Sequence, residues 1–124
     1  MGYCTTLTEE PSFRYAGTWE EFMEKWRQRV KDDGEYSYLD LYDWELEKQD
    51  PDSIVVGLKC ESYYAKHYSD RELAEFISTV IAEGDNAILE YADTDGDGGK
   101  WGYYITRGEI KDIEFVRMVD GKPL

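Results

Sequence analysis

The sequence predicts an α+β fold, a single antiparallel sheet with two helices packed on one face, in the order ββαββαβββ. Three observations lead there. Two segments carry apolar residues at helical spacing between capping signals. Most of the other periodic stretches alternate as strands do, and short turns containing Asp, Gly or Pro join them. The 124 residues suit one domain spanning 1–124, long enough to bury a core without metals or disulfides. Neither an internal repeat nor a low-complexity tract or linker interrupts it.

Residues 3–9 read as a strand, and "SFRYAG" as a second that returns toward the first helix. In "TWEEFMEKWRQRVKDDG", Trp19, Phe22, Met23, Trp26 and Val30 fall on one helical face, with Glu20, Glu24, Arg27 and Lys31 on the other. Thr18 and Glu21 form a capping box and Gly34 is the stop. "YSYLDLYDWELE" alternates from Tyr38 to Glu47, and Asp50, Pro51 and Asp52 turn the chain into "SIVVGLKCES". The second helix lies in "SDRELAEFISTVIAEG". Ser69 and Glu72 are its capping pair, Leu73, Phe76, Ile77, Val80 and Ile81 its buried stripe, and Gly84 its terminator. "AILEYA", "WGYYIT" and "EIKDIEFVRMV" then form a three-stranded meander.

Charge is the strongest signal. With 28 acidic residues against 14 basic ones the formal net charge is -14 and the isoelectric point about 4.3. Such a chain repels nucleic acid and anionic membranes and is drawn to basic surfaces. Its 15% aromatic content is too high for an acidic disordered tail. From Asp32 to Asp52 there are nine acids and one base, Lys48; from Glu83 to Asp97 there are six acids and no base. In the first run Asp43, Glu45 and Glu47 share one strand face, roughly 6.5–7 Å apart, while Tyr42, Trp44 and Leu46 share the other.

"LEYADTDGDGGKWGYY" starts like a calcium loop: Asp93, Asp95, Asp97 and Gly98 occupy positions one, three, five and six. Position twelve is Tyr104, which has no carboxylate, and strand-like runs replace the flanking helices. The stretch reads as a solvated hairpin connection. Cys4, Cys60 and His67 have no metal-ligand spacing, so neither metal nor cofactor is expected. Nor does the chain hold a nucleophile elbow or a phosphate loop, and His67 reads as a structural residue, so the expectation is not an enzyme. "MGYCTTLTEEP" has no basic region followed by an apolar run, and no window approaches a membrane span, which points to a reduced, cytoplasmic setting.

Clustering like charges destabilises a compact state, so the acidic run invites a use beyond keeping the protein in solution. Tyr36, Tyr38, Tyr42 and Trp44 interleave with its acids, a composition found at interface anchors as well as on core-facing strands. Rigid carboxylates beside aromatics suit a basic partner that otherwise holds DNA or RNA, because they compete for the same Lys and Arg channel. The candidate partner-binding residues are Asp40, Asp43, Glu45, Glu47, Asp50 and Asp52 with Tyr36 and Tyr38, and Asp93, Asp95 and Asp97 as a second patch.

The opening "MGYCTTL", the following "GTWEEF" and the acidic Gly-rich hairpin before Trp101 in "YADTDGDGGKWGYYI" resemble a loose group of short uncharacterised proteins of phages and actinobacteria. Where those proteins have a Pro-rich approach to the Trp, this chain has "RYAGTW". The resemblance implies a phage or mobile-element setting, hence a host-cell cytoplasm, and no activity. By analogy with that setting, the expectation is an inhibitor of a nucleic-acid-binding defence protein, of the anti-CRISPR kind and working by nucleic-acid mimicry. An immunity protein against a basic nuclease toxin uses the same electrostatics, and a weak calcium module through the Asp-Gly loop is the other alternative.

Overall fold

The structure is a computed structural model that describes residues 5–33, 42–60, 70–93, 100–113, 118–119 and 122–123. Its elements are β1 (Thr5–Glu9), β2 (Ser12–Tyr15), α1 (Trp19–Asp33), β3 (Tyr42–Gln49), β4 (Ile54–Cys60), α2 (Asp70–Val80), β5 (Ala87–Asp93), β6 (Lys100–Thr106), β7 (Glu109–Ile113), β8 (Met118–Val119) and β9 (Lys122–Pro123). The class is α+β and the first nine elements follow the expected order. A short β8–β9 hairpin stands where the final predicted strand was to run to Val119.

The expectation of a single sheet is corrected. A four-stranded antiparallel sheet runs β1-β5-β6-β7 and a three-stranded one runs β2-β4-β3. The division falls at Glu10–Pro11. β1 pairs with β5, Thr5 opposite Asp93, whereas β2 pairs with β4, Ser12 opposite Gly57. Pro11 has no N–H to continue a ladder, but its carbonyl still accepts from Leu58 N at 2.9 Å and so starts the second sheet. One chain segment thus edges both sheets.

The helices divide their packing accordingly, and this corrects the picture of both on one face of one sheet. α1 lies on the inner face of the three-stranded sheet through an aromatic cluster. Phe22 meets Trp44 of β3 at 5.0 Å between ring centroids, Tyr15 of β2 at 5.5 Å and Phe76 of α2 at 5.8 Å, all edge to face. α2 packs on β6 and β7, and its Phe76 also reaches Trp26 of α1. Facing both ways, it buries Leu73, Ala74, Phe76, Ile77, Ser78 and Val80, a wider arc than a surface helix needs. The inner faces of the two sheets meet where the buried Tyr42 and Tyr91 hydroxyls lie 3.4 Å apart.

Local signals account for the helix ends. Thr18 Oγ1 accepts from Glu21 N at 3.1 Å, the N-cap that starts α1. α2 stops at Val80, short of Gly84, because the chain is drawn sideways onto β2. Ile81 bridges Tyr15, and Ala82 N donates to Arg14 O at 2.7 Å. The β6–β7 turn serves the last carbonyls of the helix, with Arg107 Nε donating to Ile81 O at 2.7 Å and Gly108 N to Ser78 O at 3.0 Å. Gly84 instead takes a left-handed φ of 85° in the turn that follows. Among the described residues no helix is long and apolar enough to cross a membrane.

Candidate functional site

The acidic row occupies the outer face of β3. Tyr42 and Trp44 point inward at 1% and 8% exposure, so Asp43 between them and Glu45 after Trp44 point to solvent. The register slips by one residue between Leu46 and Lys48, a bulge that leaves Glu47 without a partner across the ladder. The Glu47 side chain lies over Gly57 of β4, filling the space a Cβ there would take. Gly57 is opposite Glu45, so the bulge keeps Glu47 on the same outer face. Three carboxylates therefore stand on a strand whose back is fixed in the aromatic core.

Cations from β4 and β2, together with the run's own Lys48, reach some of these acids. Lys59, directly opposite Asp43, reaches Glu45 at 3.5 Å, and Lys48 reaches Asp50 at 3.8 Å. Asp50 is also gripped by Arg14 of β2 at 2.7 Å. Among the described residues Asp43, Glu47 and Asp52 make no ion pair, and all three are exposed.

Arg14 makes Asp50 part of a clasp. Its guanidinium donates to Asp50 and to Ser53 Oγ across the β3–β4 turn, while its backbone N–H donates to Asp85 Oδ2 at 2.7 Å. Asp85 follows α2, so one residue ties the edge of the three-stranded sheet to the entry of β5. The Arg14 hydrogen bond, with Lys48 beside it, holds the Asp50 carboxyl below the usual carboxylate range. A lowered folded-state value means the contribution is complete above about pH 4, the unfolded value, and is lost as pH falls through the folded one. Thermal melting from pH 7 to pH 2 is expected to show a shallower acid decline for Asp50→Asn than for the parent. Parallel declines would remove Asp50 from the acid response.

Of the other predicted site residues, Asp40, Tyr36, Tyr38, Asp95 and Asp97 lie outside the described residues, as do Cys4, His67 and Ser69. Asp93 ends β5 opposite Thr5. Among the described residues no group of three or more His, Cys, Asp and Glu is placed to hold a metal ion.

Sequence reasoning missed a further acidic feature. α1 and α2 leave an open groove of about 1040 Å³ between them, rimmed by Glu20, Glu21, Glu24 and Asp32. Their helical spacing marked Glu20 and Glu24 as outward-facing, but only the position of α2 turns that face into a wall. No protein-family model, curated protein or solved structure matches the chain.

Proposed function

We propose that this protein acts by binding, as an inhibitor that occupies the nucleic-acid channel of a basic protein, with a host-defence effector of the CRISPR kind as the target class. The observation that supports the reading most is the row of Asp43, Glu45 and Glu47, held on the solvent face of a strand anchored by Tyr42 and Trp44. The anchored strand fixes where the acids are rooted, so the row needs less ordering on contact than the same acids on a mobile loop. At roughly 6.5–7 Å between same-face residues, the row carries about half the charge density of one DNA strand. It therefore serves as one edge of a larger contact. Occlusion and electrostatic steering suffice for inhibition, and no catalysis is needed.

The test is capture on immobilised protein from nuclease-treated lysate, followed by elution with a DNA or RNA oligonucleotide. A nucleic-acid mimic releases its partner to the oligonucleotide, and sequencing the partner separates a defence effector from a nuclease toxin. The triple variant Asp43→Asn, Glu45→Gln, Glu47→Gln is expected to weaken the purified pair by roughly 1–3 kcal/mol, about 5- to 150-fold in Kd. It should also flatten the salt dependence of binding. An unchanged Kd with an unchanged salt slope would sink the mimic reading.

A further inference from the structure

Four strands edge the two larger sheets, and three of them are ill suited to receive a further strand. β2 is covered on its outer side, where Ile81 bridges Tyr15 and Ala82 N donates to Arg14 O. β1 has an irregularity between Leu7 and Glu9 and β3 a bulge between Leu46 and Lys48, and such kinks interrupt a ladder. β3 paired with its own copy would also bring two acidic rows together. The fourth edge, β7, pairs with β6 over five consecutive residues without a slip and, among the described residues, with no strand on its other side.

The charge of β7 is as distinctive as its regularity. The chain carries -14, yet residues 107–113 balance, with Arg107 and Lys111 against Glu109 and Asp112. Glu109, Lys111 and Asp112 are exposed, and Lys111 reaches Glu109 at 3.4 Å along the outer face of the sheet. Ile110 lies on the inner face, opposite the buried Ile105. Charges on an edge strand normally repel an incoming strand. Here opposite signs stand two residues apart, so register decides between repulsion and attraction.

Backbone geometry limits the registers. Two residues turn β6 into β7 and leave Thr106 opposite Glu109 as the closing hydrogen-bonded pair. By the antiparallel alternation, Lys111 is also bonded to β6, while Ile110 and Asp112 present their N–H and C=O groups outward. A second β7 can pair only through these outward groups. Setting Ile110 against Asp112 places Lys111 opposite Lys111, setting it against Gly108 places Glu109 opposite Glu109, and setting Asp112 against itself brings two aspartates together. Setting Ile110 against Ile110 places Glu109 opposite Lys111 twice, an alternating quartet of charge on one face over an Ile pair on the other.

We propose that β7 is the contact through which two copies of this chain associate, antiparallel about a twofold axis at Ile110, joining the two four-stranded sheets into one. The contact is isologous, each surface patch meeting itself. Charge complementarity identifies the second copy as the occupant, because one register of the strand satisfies its own charges and its neighbours do not. β7 belongs to the other sheet from the β3 row, so the contact stands whether or not that row mimics nucleic acid.

Sedimentation equilibrium of the full chain from about 1 μM to 1 mM, a range suited to a small interface, should show the mass rising from one copy to two. Glu109→Lys alone sets Lys against Lys, and Lys111→Glu alone sets Glu against Glu. Each should weaken association by at least about fivefold, and combining them should restore it to within about threefold of the parent. Amide exchange of the parent serves if a variant fails to fold. Between the dilute and concentrated ends, Ile110 and Asp112 should slow by at least about tenfold, while Glu109 and Lys111, already bonded to β6, should not change. A single copy throughout would overturn the proposal. So would association indifferent to both single swaps, a loss that the double swap does not repair, or slowing at β1 or β3 in place of β7.

Discussion

Phe22→Ala is expected to remove about 3–5 kcal/mol of stability, a large part of the roughly 5–15 kcal/mol that holds a domain folded. Phe22 is fully buried and touches five aromatic rings: Phe13, Tyr15, Trp19, Trp44 and Phe76. These rings come from β2, α1, β3 and α2, so the vacated space cannot close by moving one element. Each lost edge-to-face pair adds about 0.5–1.5 kcal/mol to the transfer term. Urea unfolding followed by tryptophan fluorescence measures the loss directly, since Trp19, Trp26 and Trp44 sit in or against this cluster. A midpoint within the error of the parent's would mean that the cluster does not carry the core.

Gly102→Ala is expected to be nearly as costly for a different reason. Gly102 lies in β6 opposite Glu90 of β5, and a Cβ there would run into the backbone carbonyl oxygen of Leu89. Backbone in the middle of a sheet cannot rotate out of the way as a side chain can. The strands must part, at about 1–3 kcal/mol or more. Gly57→Ala is the matched control. The nearest atoms to its Cβ would be Oε1, Cδ and Cγ of the exposed Glu47 side chain, which can swing into solvent, so its melting temperature should stay close to the parent's. At about 3–6 °C per kcal/mol for a domain of this size, Gly102→Ala should melt roughly 5–15 °C lower. Equal melting of the two variants would contradict the close approach of β5 and β6.

Elements specified by neighbouring residues were legible in the sequence. α1 and its Thr18 cap, the stripe of α2 and the β5–β6–β7 meander all follow from periods of 3.6 and 2 with capping and turn residues. What depended on distant partners was not. Nothing in "TEEPSF" states that β1 will seek β5 and β2 will seek β4, so one sheet was expected where two form. The end of α2 was placed at Gly84 because glycine is the local stop signal, whereas Arg14 draws the chain away at Ala82. The candidate site divides in the same way. Alternation put Asp43, Glu45 and Glu47 on one face, and the bulge that keeps Glu47 there was invisible. A count along residues 32–52 found one base. Strand pairing brings Lys59 and Arg14 to the same acids from outside that window.

The pairing of β1 with β5 also sets a timetable for folding. Thr8 Oγ1 donates to the carbonyl of Glu90, 82 residues away along the chain. A ribosome adding about 5–20 residues per second therefore emits β1 several seconds before its partner strand exists. In that interval β2, α1, β3 and β4 can assemble, with every pairing of the three-stranded sheet already supplied, while the neighbouring strand waits unclaimed. The three-stranded sheet and α1 are thus placed to mature first, and the other sheet closes only when the chain returns to its own beginning.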